Sequence, residues 1–571
     1  MRLIPVNIYR HCNPNICLFS FQICNSRITW DLSRIKIPHF NSLAQLTLFL
    51  IVTIVTVGCD SVTIDDQNSL NQVTPEVQAV NEKPQDLNQV TPELQVVNEE
   101  SQDLDPANLN PVISVQETPE ILPFSAWGEQ GLMWADFDNN GNPDLLYMGH
   151  NKNPGLYKQI GGRFVDTFDE SGLKFDDWVY PQQGDRHGAS CADYDNDGYQ
   201  DIFIGHGALV GETLGIKFDE LLRGDGNFQF EDVSHSTGVL NQYGRTRAGQ
   251  WVDINNDGWL DLYIGNFETP NVMYTSNKDG TFTDTTEQLN LGTIGWRSAW
   301  ADFNNDGFMD VAEVNPIKLQ ISRSGQVFED VTEQYLGDAA GDFGYSLAWA
   351  DLDNDGDQDL LVGRLAQEGF LFRNDGDKFT KYEFSDVGLT SLKTITGIAP
   401  ADVDNDGDQD IVMNTSEGMM IFKSSGKLEY ELAHISARTT PILNMRSGDI
   451  SIEDFDGDGL LDIATDDPEE LKLYQNTTYQ AGNWLRILFN GVNNNRMGFG
   501  NKVEVFTDNG TKRIFAEYNG ASAGMRSTGC QPLHLGIGNA TSSSIRVVWP
   551  NGQVSELDNV ESNTIVTITE P

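Results

Sequence analysis

Seven stretches of the chain set oxygen-bearing side chains at one fixed spacing. The first three hold Asp136, Asp138, Asn140, Asn142 and Asp144; Asp193, Asp195, Asp197, Tyr199 and Asp201; and Asp253, Asn255, Asp257, Trp259 and Asp261. The others hold Asp302, Asn304, Asp306, Phe308 and Asp310; Asp351, Asp353, Asp355, Asp357 and Asp359; Asp402, Asp404, Asp406, Asp408 and Asp410; and Asp454, Asp456, Asp458, Leu460 and Asp462. In every copy positions 1, 3, 5 and 9 are Asp or Asn and position 6 is Gly, while position 7 varies, as a residue offering only its carbonyl would. This set suits a hard cation. Calcium takes six to eight oxygens in a flexible shell and the Gly turns the loop around it, whereas magnesium prefers a rigid octahedron and keeps its water. About seven calcium sites are expected.

The charge balance points the same way. The 571 residues carry a formal net charge of −49, and 25 of the 85 Asp and Glu residues lie at these positions. Two carboxylates about 4 Å apart repel by roughly 4 kcal/mol at an effective dielectric of 20, so empty loops would push themselves open. The same acidity excludes a nucleic-acid binder, which needs a basic face. An EF-hand is excluded because it needs Glu at position 12 and flanking helices. Here position 12 is Glu only in the fourth stretch (Glu313), and strand-like runs such as DIFIG and DLLVG follow.

Those strands are the elements that must position the loops. The stretches begin 57, 60, 49, 49, 51 and 52 residues apart, the mark of a repeat architecture. A large and then a small residue precede most of them (Trp134-Ala135, Trp251-Val252, Trp300-Ala301, Trp349-Ala350), as on short inner strands converging on an axis. Cys191 stands in a Trp position and reads as a core substitute; Glu453 breaks the small-residue pattern without an evident reason. Gly-rich hairpins such as GDGNF (224–228) and KDGTF (278–282) complete four strands per unit, one propeller blade. The chain is therefore expected to be all-β: a seven-bladed β-propeller over 111–480, then a small β-sandwich or barrel-like domain over 481–571. Residues 112–118 would lend the last blade its fourth strand and remove the free edges. In the last domain, strands are expected at 484–489, 502–507, 513–518, 545–549, 553–557 and 564–569, with hairpins at 508–510 and 550–552.

The Asp-x-Asp-x-Asp-Gly-x-x-Asp loops, set in blades with Gly-Asp-Gly-Asn-Phe hairpins, resemble the FG-GAP/VCBS repeats of the integrin α-subunit propeller. His187-Gly-Ala-Ser-Cys-Ala-Asp193 is similar to the version in bacterial relatives of cartilage acidic protein. The C-terminal segment resembles an ASPIC/UnbV domain at Asn501-Lys-Val-Glu-Val505, Pro532-Leu-His-Leu-Gly-Ile-Gly538 and Val548-Trp-Pro-Asn-Gly552. Asn501-Lys502 replaces the Ala-Arg usual there, so no ligand role is carried over for that Arg. A propeller followed by this module is the layout of the cartilage acidic protein family, and the resemblance implies calcium and extracellular binding rather than a reaction.

The N-terminal 59 residues read as a leader. The apolar run 46–58 is too short to span a bilayer as a helix, which needs about 20 residues, and it suits a secretory signal with Arg34 and Lys36 on its flank. Gly58-Cys59 resembles a lipobox, which implies lipidation at Cys59, with plain cleavage and secretion or an uncleaved anchor as the alternatives; the long segment before it reads as a mis-assigned start. Residues 60–110 contain a 17-residue duplication (71–87 and 88–104) and read as a disordered tether. After Cys12, Cys17 and Cys24 only Cys59, Cys191 and Cys530 remain, and Cys59 lies at the lipobox, so no disulfide framework is expected.

Three further motifs read as structure. Gly520-Ala-Ser522-Ala-Gly524 lacks the strand-to-helix context of a nucleophile elbow, Gly205-His206-Gly207 is a blade turn, and Arg223-Gly224-Asp225 coincides with a blade hairpin. On the face opposite the loops gather His150, Trp178, Tyr180, Arg186, His187, His206, Arg247, Asn266, Arg297 and Arg364, a composition that suits a protein or glycan ligand or a plain solvated rim. The expected function is a non-catalytic, calcium-stabilised binding or adhesion module, exported to the cell surface or periplasm. It would meet the membrane only through its N-terminal anchor. The alternative is a carbohydrate-active enzyme or glycan-processing accessory using that opposite face.

Overall fold

The computed structural model describes residues 7–13, 16–23, 26–31, 113–118, 131–148, 154–172, 186–207, 218–389 (except 294), 394–437, 448–466, 471–507, 512–518 and 529–571. Cys59, the apolar run, the tether, His150, Trp178, Tyr180, the 508–510 hairpin and Gly520–Gly524 lie outside them. Residues 1–100 form a unit of their own, in which Asn7–Asn13, Ile16–Ile23 and Ser26–Asp31 pair as an antiparallel sheet. Among the described residues, no helix is long and apolar enough to cross a membrane.

The second unit is all-β. Seven four-stranded antiparallel sheets follow one another, and each inner strand neighbours those of the sheets before and after it, so the succession closes into a ring. The inner strands are Leu132–Ala135, Arg186–Ala192, Thr246–Val252, Arg297–Ala301, Ser346–Ala350, Ile395–Ala401 and Ile450–Glu453. Each runs straight into its acidic loop, and a second strand such as Asp201–His206 or Asp359–Gly363 leaves it, buried from end to end. These second strands are near-continuous apolar runs because both faces pack on neighbouring sheets. The seventh sheet takes its outer strand from Val115–Glu117, antiparallel to Leu471–Asn476.

The Trp residues before the loops join one sheet to the next. Trp134 stacks on Phe455 of the seventh loop (ring centroids 6.0 Å apart), Trp251 on Tyr194 of the second (6.1 Å) and Trp349 on Phe303 of the fourth (5.4 Å). Such pairs add roughly 0.5–1.5 kcal/mol beyond the area they bury.

The C-terminal domain stacks a three-stranded sheet (Leu533–Gly538, Asn483–Asn490, Thr564–Thr569) on a four-stranded one (Lys512–Tyr518, Asn501–Thr507, Ser542–Val548, Val554–Glu561). Ile487, Val505, Ile537, Val547 and Trp549 fill the space between them. Strand Leu533–Gly538 is an addition to the expected set. Leu533, Leu535 and Ile537 alternate there, but Gly536 and Gly538 give the run the look of a turn, and it pairs beside Asn483–Asn490.

The cysteine expectation is corrected. Cys191, on the second inner strand, is disulfide-bonded to Cys530 of the C-terminal domain, 339 residues away. It is a core residue, 1% exposed, and a covalent tie as well. Docking of the two domains brings the pair together, which spacing along the chain does not reveal.

Candidate metal loops and the domain that caps them

Each loop is wound by its own carboxylates. The first Asp accepts the N–H of position 5 on Oδ1 and that of the Gly at position 6 on Oδ2: 2.9 and 2.9 Å at Asp193, 3.0 and 2.9 Å at Asp253, 3.1 and 2.8 Å at Asp402. The fifth side chain accepts the N–H of position 7, as Asp257 does from Trp259 (3.1 Å). That fixes the position-5 side chain against the loop's own backbone. The chain bends in the left-handed region twice, at a position-4 Asn (φ 53 to 59°, or Gly457 at 77°) and at the position-6 Gly (φ 85 to 98°). Gly tolerates that region freely and Asn better than other residues.

The ninth-position Asp staples its blade. Asp410 accepts the Val403 N–H (3.1 Å) on one oxygen and the Ser424 N–H (2.7 Å) on the other, tying the loop's start to the third strand; Asp144, Asp201, Asp261, Asp359 and Asp462 do the same. Asp310 keeps only the Ser322 bond, and its Oδ2 is buried without a donor.

Position 3 decides whether the loops fit a cation. Asp138 Oδ1, Asn255 Oδ1, Asp353 Oδ1 and Asp404 Oδ1 are buried acceptors that no donor reaches, an arrangement that costs about 1–3 kcal/mol per group when left unmet. Beside them stand carboxyls held up chiefly by burial and further by neighbouring carboxylates: Asp144 and Asp359 at about 8, Asp193 and Asp351 at about 7 and Asp462 at about 9. An oxygen-seeking divalent ion meets both deficits, so the residues present fit one. Five loops bring three carboxylate oxygens within 4.8 Å of one another: Asp136/Asp138/Asp144, Asp193/Asp195/Asp197, Asp351/Asp353/Asp355, Asp402/Asp404/Asp410 and Asp454/Asp456/Asp462. The third and fourth loops, with Asn255 and Asn304 at position 3, are not among these groups.

A contact absent from the sequence reading links the loops to one another. The position-4 Asn of one loop donates to the next: Asn196 Nδ2 to Gly258 O (3.2 Å), Asn256 to Gly307 O (2.7 Å), Asn305 to Asp357 Oδ1 (2.6 Å), Asn354 to Asp408 Oδ1 (2.9 Å) and Asn405 to Gly459 O (2.9 Å). Asn139 begins the series toward Gly198 at 3.5 Å, and Gly457, which has no side chain, ends it. The signal was available: six of seven position-4 residues are Asn.

The C-terminal domain sits on this loop face. Arg486 pairs with Glu453 and reaches Asp454 Oδ2 at 3.5 Å, which accounts for the Glu in a small-residue position. Lys502 lies 2.7 Å from Asp302 Oδ2, and the Asp302 N–H donates to Glu517. The Gly482 N–H donates to Asp404 O, the Arg496 N–H to Asn196 Oδ1, and His534 Nε2 meets Asn405 Oδ1 at 2.7 Å. Gly258, at φ +86°, admits the Asn493 carbonyl 2.4 Å from where a Cβ would stand.

The opposite face differs from a plain rim. Arg186, His187, His206, Asn266 and Arg297 are buried; Arg186 makes a bidentate pair with Glu220 (3.0 and 2.9 Å), holding that carboxyl at about 2 against its burial. Burial follows from their place at the start of inner strands or the end of second strands, where the ring is tightest. Arg247 and Arg364 are half-buried. Over the third to fifth sheets, Arg245 and Arg247 lie on the Phe267 ring (4.9 and 5.2 Å), Phe267 meets Trp296 (6.1 Å) and Trp296 meets Tyr345 (5.0 Å). Tyr243 and Phe343 stand out beside this stack, 69% and 64% exposed. The Arg223-Gly224-Asp225 tripeptide is a hairpin, as its place in the repeat implies: Arg223 pairs with Glu231 (2.8 Å), the Gly224 N–H donates to Asp201 Oδ1 and Asp225 Oδ1 accepts the Asn227 N–H.

Four-stranded sheets around an axis, each carrying an acidic loop, with a β-domain on the loop face, define a capped β-propeller of acidic-loop repeats. The sequence matches the FG-GAP-like repeat family over residues 136–204, 253–313 and 356–413, the FG-GAP repeat over 343–365, and the ASPIC and UnbV family over 491–571. The chain thus carries FG-GAP-like repeats followed by a C-terminal ASPIC/UnbV domain. No curated protein matches it in sequence. Among solved structures, it is similar to a lectin of Agrocybe aegerita described as recognising non-reducing terminal N-acetylglucosamine (18% identity, 55% of this chain and 82% of that one, TM-score 0.38). It is similar also to Sqt1 of Saccharomyces cerevisiae (12%, 62% and 98%, 0.36) and to the extracellular domain of a putative one component system of B. thetaiotaomicron (11%, 79% and 53%, 0.40).

Proposed function

We propose that the protein is an exported, non-catalytic binding module, held in shape by calcium in its loops, that meets a protein or glycan ligand with the face away from the C-terminal domain. The observation that carries this reading is the division of labour between the two faces. The loop face is covered by the cap, while the other presents exposed Tyr243 and Phe343 beside an arginine–aromatic stack. Aromatic and Arg side chains are the types that dominate binding hot spots. In each loop the side chains of positions 1, 3, 5 and 9 and the carbonyl of position 7 would hold the ion, whose charge offsets their repulsion. Export is supported by the Cys191–Cys530 disulfide, a bond that persists in oxidising compartments. The test is a glycan array and partner capture with the calcium-loaded chain and its Tyr243→Ala/Phe343→Ala variant. Binding that survives the double substitution unchanged would move the ligand off this face.

A further inference from the structure

The cap does not meet the ring everywhere. A cleft of about 290 Å³ remains between the fifth to seventh sheets and residues 515–518 and 531–535 of the C-terminal domain. Ala399, Pro400 and Ile452 give it an apolar floor; Gln358, Gln409, Ser451, Gln531, Arg486 and His534 line it with polar groups, and Asp351, Asp402, Glu453 and Glu517 with carboxylates. Arg486, 7% exposed, spends its terminal nitrogens on Glu453 and Asp454, but its Nε has no partner, nor has Nδ1 of His534.

The two glutamines are not required by the fold. Both occupy position 8 of their loops, where the third, fourth and seventh loops carry Leu260, Met309 and Leu461; the Gln200 of the second loop lies outside the cleft. Of the three eighth positions that line the cleft, two carry a carboxamide and the third is Leu461, and they stand beside the unpartnered Nε–H of Arg486.

The charges select the ligand. An anion is disfavoured, because Arg486 is already matched by Glu453 and Asp454 while Asp351, Asp402 and Glu517 stand nearby. A cation in the cleft finds those carboxylates committed: Asp351 and Asp402 belong to the ion sites proposed for their own loops, and Glu517 accepts the Asp302 N–H. Carboxamides, which donate and accept side by side, above an apolar floor suit a neutral ring rich in hydroxyls. The volume lies at the small end of ligand cavities, about 300–1,000 Å³, and admits one such ring. We infer that this cleft is a monosaccharide site, in which Gln358, Gln409 and Arg486 Nε hold the hydroxyls and Ala399 and Pro400 take the C–H face of the sugar.

The test is saturation-transfer NMR on the full, calcium-loaded chain with free glucose, galactose, mannose and N-acetylglucosamine. At least one sugar is expected to receive saturation and to titrate to a plateau. Gln358→Leu and Gln409→Leu should each weaken it about tenfold, the scale of one good polar contact. Their melting temperatures should stay unchanged, since Leu is the residue of the sibling loops. Phe343→Ala, on the other face, should leave this binding intact even where it abolishes capture of the ligand proposed above, so the two readings fail separately. Absence of saturation transfer to all four sugars overturns the inference. So does binding that persists in a folded Gln358→Leu/Gln409→Leu variant, or that is lost in Phe343→Ala.

Discussion

Glu453 and Arg486 form a buried ion pair between the seventh sheet of the ring and the C-terminal domain, with side chains 2% and 8% exposed. Burial raises Glu453 to about 7 and Arg486 draws it back, so each group relies on the other. Removing one partner of a buried pair costs about 3–5 kcal/mol, whereas replacing both by apolar residues is often neutral. Glu453→Ala should therefore lower the denaturant midpoint markedly, and Glu453→Ala/Arg486→Leu should recover much of it. Equal losses in the single and double variants would show that the pair does not carry the contact.

The Cys191–Cys530 bond closes a very long loop. Native disulfides typically contribute about 2–4 kcal/mol, more for longer loops. Reduction, or Cys530→Ser, should lower stability by that order and speed protease cleavage around 477–483, where the chain passes from ring to cap. Unchanged unfolding curves in reductant would contradict this.

The raised carboxyls predict opposite pH trends with and without metal. Asp144, Asp359 and Asp462 hold their protons more tightly in the folded chain than the unfolded value near 4. Without ions, their contribution to stability is therefore greatest below about pH 4, falls as pH rises from there, and levels off above about 8 to 9. Calcium at 100 times its dissociation constant adds about 2.7 kcal/mol for one site, and its binding needs the deprotonated form. Melting curves across this range in EDTA should slope downward with pH; those in calcium should flatten or rise. The same slope in both would mean the loops take no ion.

The Asn series joins each loop to the next, so occupancy of one should steady its neighbour. Asn256→Gly keeps the left-handed backbone and removes the bond to Gly307 O, copying what Gly457 does naturally. Calorimetric calcium titration should show weaker binding at two loops with little change in melting of the ion-free chain. Binding identical to the parent would confine the bond to a structural role.

What the sequence made legible was local. Asp193 to Asp201 read as an ion loop because turn and ligands lie within nine residues, and the strands around it followed from apolar runs and hairpin glycines. The roles of Glu453 and Asn405 and the bond made by Cys191 were not legible, because each answers to a partner on another repeat or on the cap: Arg486, Gly459 with His534, and Cys530. Burial of Arg186 and Arg297 was equally hidden. Their sequence neighbourhood is polar, and only closure of the ring withdraws them from water.

The strand Val115–Glu117 pairs with Leu471–Asn476, which fixes an order on biogenesis. That early strand has no partner until the last sheet has left the ribosome. Through most of synthesis the nascent chain exposes unpaired sheet edges, and any product stopped short of residue 471 leaves the circle open with aggregation-prone borders.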